Sequence, residues 1–496
     1  MKKRIFLFLC LFAFRQMLPA QDFSAIRWLE LLLPAEPQLM YELRSMGIEV
    51  DHFHTSEEGL KLTLSESDVA QLEESGIPYR VLTSDVTQDF LRANGQVGFY
   101  DQERSELRSD FASNCQSMQR LIQTPINFRP GSMGGYLTYE ELLEQLDKMV
   151  EFYPQLISEK MEIGRSVEGR PILAFRISDQ PNVEESEPNI LYTGLHHARE
   201  AMSMHQLIFF MWYLLEHYDQ HPEIREVIDQ RALWFVPCVN PDGYVYNQKI
   251  EPKGGGMWRK NRRPNADGST GVDLNRNYAI GWGDPDGSSG NGGSSTYRGT
   301  APFSEPEALA LRELAERVPF QIVMDYHSYG NLFIRPSMGF EAAPEDEQQY
   351  HEQESEFTYF NCYVAGDDRS TVGYKASGTS SDWHYYREHE HDHKTFAWIP
   401  EVGNSFWPTK DLIIPLAREN FYPNLKAAQL AGASFELEEN SPIALNTESQ
   451  QLELKIRRLG LKDAAFSVEV EASGYLSLAP QRFDFPKGSL VQVGAE

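Results

Sequence analysis

Hydrophobic runs in the N-terminal part of the chain predict alternating strands and helices. Two helical stretches end at Gly47 and Gly76, and glycine is favoured there because it adopts a left-handed backbone conformation without strain. Four short apolar runs flank these helices and predict strands at residues 26–33, 49–53, 60–64 and 79–82. The order β-α-β-β-α-β predicts a small ferredoxin-like α+β domain over residues 21–92.

A longer α/β pattern follows a connector of weaker periodicity at residues 93–133. A Thr-x-x-Glu capping box at residues 138–141 predicts the start of a helix, and runs at 158–163 and 171–177 predict a hairpin. Alternating strands and helices over residues 134–433 predict an α/β/α domain with a mixed, largely parallel central sheet. Its further predicted elements are strands at 190–193, 232–236 and 321–325 and helices at 201–217, 305–317 and 412–430.

The two ends of the chain have their own patterns. Basic residues at positions 2–4, an apolar run at 5–14 and a possible cleavage site at Leu18-Pro19-Ala20 are typical of a secretory signal peptide, residues 1–20. We therefore expect a secreted or periplasmic protein, and no segment is long enough to span a membrane. Alternating apolar residues after position 433 predict a β-rich segment at 434–496, shorter than a usual β-sandwich of about 100 residues.

Charge and cysteines restrict the partners and the covalent links of the chain. The formal net charge of −28 argues against a nucleic-acid partner, since phosphate binding requires clustered Lys and Arg. Three cysteines remain after removal of the leader, Cys115, Cys238 and Cys362, so at least one is unpaired. Cys238 lies in an apolar run and is predicted to be a buried thiol, whereas pairing of Cys115 with Cys362 is left open.

A candidate metal site begins where a predicted strand turns into a predicted helix. If the helix opens near His197, then His197 and Glu200 project from one face and can hold one ion. Imidazole and carboxylate ligands suit zinc, although a bare HxxE is also typical of an exposed pair on a helical turn. His327, at the end of a buried strand, is the best candidate for a third ligand. The rival candidates for a metal cluster are His384, His389, His391 and His393. Their segment is hydrophilic throughout, which predicts a solvated loop, with adventitious metal binding as the alternative.

Other polar residues lie among apolar or turn residues and suggest substrate contacts. Arg259, Asn275, Arg276 and Tyr374 offer donors that can clamp an anionic end of a substrate, Arg through its planar fork. Glu401 ends the apolar run at residues 396–400 and is a candidate general base. A structural ion pair is the alternative interpretation of Glu401.

Seven segments, in the same order, resemble the zinc metallocarboxypeptidases, the carboxypeptidase A-like M14 peptidases, and more closely their secreted bacterial members. The resemblance covers about residues 134–432. Its motifs are His-Ala-Arg-Glu (197–200), Asn-Pro-Asp-Gly-Tyr (240–244), Trp-Arg-Lys (258–260), Val-Asp-x-Asn-Arg-Asn (272–277), Tyr-Arg-Gly with Phe-Ser-Glu-Pro-Glu (297–307), His-Ser-Tyr (327–329), and Pro-Glu-Val-Gly with Phe-Trp-Pro (400–408).

The resemblance implies a metal site and a set of catalytic residues. One zinc ion per catalytic domain would be held by His197, Glu200 and His327, with water in the open position. Glu401 would take the proton of that water and pass it to the leaving amine. Arg259 would polarise the scissile carbonyl and stabilise the oxyanion.

The resemblance also implies how a substrate binds. The terminal carboxylate would be held by Asn275, Arg276 and Tyr374, with Arg199 lining the site. Ser381 aligns with the pocket residue that separates apolar-preferring from basic-preferring members; it is neither aliphatic nor acidic, so the preferred side chain is left open. The N-terminal domain is similar to the pro-segment of the family, which covers the cleft.

The leading prediction is therefore a secreted zinc-dependent carboxypeptidase that hydrolyses the C-terminal bond of peptides and proteins through a metal-activated water. Its partner is a peptide or protein with a free C-terminus. Two alternatives are a zinc hydrolase of cell-wall peptides and an inactive peptide-binding relative. The sequence leaves the oligomeric state open.

Overall fold

The N-terminal part of the chain forms a small antiparallel sheet covered by helices. The computed structural model describes residues 26–34, 38–46, 48, 53–56, 58–99, 121–338, 344–387, 394–439, 452–462, 465–468, 481–484 and 490–495. The first elements are β1 (Trp28–Leu33), α1 (Leu39–Ser45), β2 (Phe53–Ser56), β3 (Gly59–Ser65), α2 (Glu66–Ser75) and β4 (Arg80–Thr83). The strands pair in the order β2-β3-β1-β4, so the predicted β-α-β-β-α-β order is present. The predicted leader at residues 1–20 lies outside the described residues.

Local sequence signals explain the limits of α2. Ser65 accepts from the backbone N–H of Asp68, the Asp68 carboxylate accepts from the N–H of Ser65, and the two form a capping box. Gly76 ends the helix with φ 77°, the left-handed conformation expected from the sequence. The helix buries Val69 and Leu72 against the small sheet.

Helix α3 (Val86–Gln96) was not predicted, because its buried face is largely polar. Two of its side chains bond to the larger part of the chain: Thr87 Oγ1 donates to the carbonyl of Gly255 (2.7 Å), and Asn94 Nδ2 donates to that of Gly134 (2.9 Å). The ring of Phe90 lies 6.1 Å from that of Trp407. Hydrogen bonds and the packing of Phe90 therefore both hold this helix against the larger part of the chain.

The central part of the chain is built on one large sheet. Its elements are α4 (Tyr139–Phe152), β5 (Met161–Arg165), β6 (Pro171–Ile177), β7 (Asn189–Gly194), α5 (Ala201–His217), α6 (Pro222–Gln230), β8 (Ala232–Val236), α7 (Pro241–Ile250), α8 (Pro306–Arg317), β9 (Phe320–Tyr326), β10 (Leu332–Ile334), α9 (Glu347–Phe357), β11 (Val364–Gly366), α10 (Ser380–Tyr386), β12 (Phe396–Glu401), α11 (Ile413–Glu419) and α12 (Phe421–Ala431). The capping box predicted at residues 138–141 starts α4.

The eight strands lie in the order β11-β10-β12-β9-β7-β8-β6-β5. The β12-β9, β9-β7, β7-β8 and β10-β11 pairs are parallel, and the other three are antiparallel. This is the predicted mixed, largely parallel sheet. Helices cover both faces: α5 is buried on nearly every side against one face, as expected of a helix that is apolar all round, and α8 packs on the other.

The helix predicted at residues 412–430 is two helices that meet at Asn420. Pro423, in the first turn of α12, has no N–H to donate to the carbonyl of Glu419 and its ring would clash with that carbonyl, so α11 ends at Glu419. Asn420 Nδ2 donates to the carbonyl of Leu416 (2.9 Å) across the junction.

Strands follow the last helix, as the alternation after residue 433 predicts. They are β13 (Phe435–Glu439), β14 (Leu452–Arg458), β15 (Ala465–Val468), β16 (Gln481–Asp484) and β17 (Leu490–Ala495). A three-stranded sheet has the order β13-β14-β17, and β15 pairs with β16. No helix among the described residues is long and apolar enough to cross a membrane.

The prediction that Cys238 is a buried thiol is confirmed. Cys238 is a free, buried thiol, and burial raises its pKa. Cys362 is disulfide-bonded. Cys115, the pairing considered for Cys362, lies outside the described residues.

Candidate metal centre

Two histidines lie just beyond the carboxyl ends of neighbouring parallel strands. β7 ends at Gly194 and β9 ends at Tyr326, and these two residues are register partners. His197 and His327 therefore emerge at the same edge of the sheet, where open α/β sheets bind ligands. Both side chains are buried, and their Nδ1 atoms lie 3.0 Å apart.

The Glu200 carboxylate joins the two imidazoles. Its Oε1 lies 2.8 Å from Nδ1 of His197 and its Oε2 lies 2.8 Å from Nδ1 of His327. The expectation that a helix opens near His197 is wrong, since α5 begins at Ala201. The chain first reverses direction after the strand, in a turn whose Glu200 N–H donates to the carbonyl of His197 (3.2 Å). The i, i+3 spacing brings the two side chains together through this turn.

Outer groups lie behind the other nitrogen of each imidazole. Nε2 of His197 lies 3.0 Å from Oδ1 of Asp273. Arg259 in turn donates to Oδ2 of Asp273 through Nη2 (2.8 Å) and Nε (3.1 Å). Nε2 of His327 lies 3.2 Å from Nδ2 of Asn275 and 3.7 Å from Oδ2 of Asp325. Carboxylates behind the imidazoles are typical of metal sites, where they orient the ligand rings.

Opposite charges in this buried cluster stabilise one another. Burial alone would raise the pKa of Glu200, but His197 and His327 hold that pKa well below its ordinary value. Burial opposes ionisation of Asp273 in the same way, and Arg259 and His197 hold its pKa well below the ordinary value. Both carboxylates are therefore ionised at neutral pH, as ligands and partners of a cation must be.

The donor set fits zinc. The ligand atoms of His197, Glu200 and His327 all lie within 4.8 Å of one another, and two His with one Glu is a recurrent zinc site of hydrolases. A second group shares His327 and adds His196 and Asp325. It fits a metal less well, because the oxygens of Asp325 already accept protein hydrogen bonds from Thr193 (2.5 Å) and Ser380.

Backbone hydrogen bonds at the end of β12 place Glu401 next to His327, one of the predicted ligands. The N–H of His327 donates to the carbonyl of Pro400 (2.9 Å), and the N–H of Val402 donates to the carbonyl of His327 (3.0 Å). Glu401 and His327 are thus paired residues on adjacent parallel strand ends. The whole of β12 is buried, so a rigid strand fixes where Glu401 leaves the sheet.

The predicted anion-binding residues gather on one side of the centre. Arg259, Arg276 and Tyr374 line a common cavity of about 780 Å³. Asn275 and Arg276 lie on the short 3-10 turn Leu274–Arg276, whose N-cap is Asp273. Oδ1 of Asn275 accepts from the N–H of Ser380 (2.8 Å), which turns its Nδ2 towards His327. One turn thus carries two predicted clamp residues and the partner of a predicted metal ligand.

Three further predicted residues lie around this cavity or behind it. The guanidinium of Arg199 lies 4.1 Å from the ring of Phe406 and 5.2 Å from the ring of Trp28. Ser381 is buried in the first turn of α10. His384 is buried in the same helix, so its assignment to a solvated loop is wrong: the helix turns this side chain inward. His389, His391 and His393 lie outside the described residues.

Sequence reasoning did not assign Asp273, Asp325, His196 or Tyr278 a role. Asp273 and Tyr278 lie in a segment that drew notice only for its Asn and Arg. His196 stands directly before a predicted ligand, and Asp325 stands two residues before another. A carboxylate at that spacing on a buried strand was the available signal, because i and i+2 share a face of a strand.

Comparison with known proteins agrees with this geometry. The family model described as zinc carboxypeptidase matches residues 142–423. Metallocarboxypeptidase A of Trichophyton rubrum is 34% identical over 206 residues, 40% of this chain and 47% of that protein. Carboxypeptidase A2 of Mus musculus is 31% identical over 324 residues, 63% of this chain and 69% of that protein. The chain thus spans about half the length of the fungal relative.

Solved structures show the same fold. Carboxypeptidase A from Helicoverpa armigera superposes with a TM-score of 0.62 at 22% identity, covering 82% of this chain and 98% of that one. Thrombin activatable fibrinolysis inhibitor gives a TM-score of 0.60, also at 22% identity and over the same shares of the two chains. The predicted carboxypeptidase-like α/β fold is confirmed.

Proposed function

The chain belongs to the zinc carboxypeptidase family, and from this membership we propose that it removes C-terminal residues from peptides and proteins. The observation that carries the proposal is the meeting of His197, Glu200 and His327 around one point, beside a cavity lined by Arg259 and Arg276. The predicted leader at residues 1–20 supports action outside the cytoplasm.

His197, Glu200 and His327 would hold one Zn²⁺. When bound, the ion lowers the pKa of a water and polarises a carbonyl oxygen. The protein prepares this site by burying all three side chains. Asp273 orients the ring of His197 from behind. The ligands therefore need little rearrangement when the metal binds.

Glu401 acts as the proton carrier. Its carboxylate takes a proton from the attacking water and gives it to the nitrogen of the leaving residue. The support is its position as the backbone partner of His327, which brings a carboxylate to the rim of the metal centre on a buried strand. A base held this way loses little freedom in the reaction.

Arg259 stabilises the negative charge that develops on the scissile carbonyl oxygen. Asp273 fixes its guanidinium through Nε and Nη2, and Nη1 lies 3.7 Å from Oε1 of Glu200. The Nη1 edge thus faces the metal centre. A donor fixed before the reaction stabilises the oxyanion without a cost of reorientation.

Asn275, Arg276 and Tyr374 bind the free carboxylate of the substrate, and this contact makes the enzyme an exopeptidase. Arg276 is buried and opens onto the same cavity as Arg259, where a carboxylate is an effective counter-charge. Arg199 lines the approach, and Ser381 contributes to the side-chain pocket. Neither Arg199 nor Ser381 indicates which C-terminal side chain of the substrate is preferred.

The N-terminal domain acts as a pro-domain that covers the cleft. Trp28 lies on the guanidinium of Arg199, and the ring of Phe53 lies 6.2 Å from that of Tyr374. Two proposed substrate-binding residues are thus in contact with this domain. Access of a long peptide therefore requires its displacement.

The comparison of a peptide with its C-terminally amidated twin tests the proposal. Because the amide cannot form the charge-assisted bond to Arg276, the free acid is hydrolysed faster by about 10-fold or more. An Arg276→Ala variant is the matched control, since it loses the preference while it keeps its zinc. Equal rates of the wild type on both peptides would overturn the carboxylate clamp and favour a hydrolase of internal or cell-wall peptide bonds.

A further inference from the structure

A buried polar network surrounds the Asp325 carboxylate behind the second histidine ligand. His196, Asp325, Tyr278 and Ser380 form it. Resting on the ligand assignment of the proposed function, we propose that Asp325 and His196 are positioning residues that hold the ring of His327 for the metal. The two histidine ligands then have matched supports: Arg259 and Asp273 behind His197, and His196 and Asp325 behind His327.

Asp325 is held from several directions. Its Oδ1 accepts from Thr193 Oγ1 (2.5 Å) and lies 2.7 Å from Nδ1 of His196. Its Oδ2 accepts from the hydroxyl of Ser380 and lies 3.7 Å from Nε2 of His327. Groups on both oxygens fix the plane of the carboxylate. Asp325 therefore presents a rigid acceptor on the side of His327 that faces away from Glu200.

The chemistry of a metal-bound imidazole gives this acceptor its role. When Nδ1 of His327 binds a metal, Nε2 carries the proton and needs an acceptor. The nearest amide, Asn275, directs Nδ2 towards that nitrogen, because its Oδ1 accepts from the N–H of Ser380. A donor facing a donor gives no hydrogen bond. The carboxylate of Asp325 lies on that side of the ring, with Oδ2 3.7 Å from Nε2, beyond hydrogen-bond length but within ion-pair distance. It is therefore the acceptor that we assign to Nε2 when the metal is bound.

His196 is the polar partner of the buried Asp325 carboxylate. A carboxylate that is 1% exposed is costly unless it is paired. The hydroxyl of Tyr278 lies 2.8 Å from Nε2 of His196. With this hydroxyl as the donor, the imidazole proton is on Nδ1, which lies 2.7 Å from Oδ1 of Asp325. The ring of His196 also lies nearly parallel to that of His327, with centroids 5.6 Å apart. The same residue thus orients Asp325 and limits rotation of His327.

The release of zinc to a coloured chelator tests the proposal, measured on the full chain. Asp325→Asn and His196→Leu should release zinc about 10- to 100-fold faster than the wild type. His196→Asn should restore slow release, because the amide nitrogen of Asn can replace Nδ1 of histidine. Cobalt-substituted Asp325→Asn should show a shifted visible spectrum, since the geometry of one ligand changes. Asp242→Asn is the control: this carboxylate is equally buried but binds Ser166 and Arg170.

The outcomes separate this inference from the ligand assignment. A wild type that binds no zinc would overturn the proposed function. A wild type that holds zinc, with Asp325→Asn releasing it at the wild-type rate and an unchanged cobalt spectrum, would overturn only the inference. Circular dichroism checks that each variant folds. If Asp325→Asn does not fold, the two His196 variants decide, and equal zinc release from His196→Leu and His196→Asn overturns the proposal.

Discussion

The buried charged residues of the candidate metal centre form ion pairs that share members. Glu200 faces both imidazoles, and Asp273 faces His197 on one side and Arg259 on the other. Removal of one member of such a pair leaves a buried charge without its partner, at a cost of about 3–5 kcal/mol. Substitution of Glu200 or Asp273 therefore tests stability together with chemistry, and Glu401 gives a cleaner test of the reaction.

Glu401→Gln separates metal binding from turnover. Gln keeps the shape of the side chain but cannot accept the proton, so we expect kcat to fall by about 10²- to 10⁴-fold. Zinc content should stay at one ion per chain, because none of the proposed ligands is changed. Turnover and metal analysis of the same sample check both points.

The control for that variant is Glu307→Gln, a second buried glutamate that binds Asn261 and the N–H of Val167. It should turn over near the wild-type rate. Near-normal turnover of Glu401→Gln would contradict the assignment of the base.

Among the helices and strands, the sequence predicted the ones whose hydrophobic pattern is strong. The strand Ala232–Val236 and the helix Ala201–His217 have the predicted bounds, because both are apolar over most of their length. Helices α6 and α7 were missed. Each begins with a proline, which is well suited to the first turn of a helix. The same start signal stands at Pro306 of the predicted helix α8, so the two missed helices carried a usable signal.

The site was predictable only in part, for a physical reason. Each proposed ligand lies at the end of a buried strand or in the turn after one, which a sequence pattern can locate. Which groups support the ligands depends on contacts between distant segments, such as His197 with Asp273 and His196 with Tyr278. No local periodicity encodes those contacts, so the outer partners required the folded chain.

Helix α8 contributes to the pH dependence of stability through Glu307 in its first turn. Burial raises the pKa of Glu307 from its ordinary 4.5 to about 7. The folded chain therefore binds an extra proton between these two values, and stability falls as pH rises through this window. Glu307→Gln removes this effect. From about pH 5 to about pH 8, the unfolding free energy of the variant should rise relative to wild type by on the order of 3 kcal/mol.

Denaturant unfolding at both pH values measures this difference. Glu313→Gln, an exposed position on the same helix, should show no such change. A wild type and a Glu307→Gln variant with parallel pH dependence would contradict a protonated Glu307 in the folded chain.

The whole molecule places the metal centre between the sheet edge and the N-terminal domain. Trp28 and residues of α2 line the same cavity as Arg259 and Arg276. Helix α3 fixes the domain through hydrogen bonds to Gly255 and Gly134. The proposed pro-domain would therefore act through contacts that are distant in sequence from the ligands.

Weakening the two aromatic contacts should raise activity without removal of the domain. In the full chain, Trp28→Ala combined with Phe53→Ala frees the Arg199 and Tyr374 side chains, and we expect kcat/KM on a short free-acid peptide to rise severalfold. Val81→Ala, on the exposed strand β4, is the control and should leave the rate unchanged. A double variant no faster than wild type would show that these contacts do not restrict the site.

Anomalous diffraction at the zinc absorption edge, on crystals of the protein purified with zinc, tests the central claim most directly. We expect one strong peak per chain, bonded to Nδ1 of His197, Nδ1 of His327 and the carboxylate of Glu200. A peak bonded instead to His196 and Asp325, or no peak in that region, would contradict it.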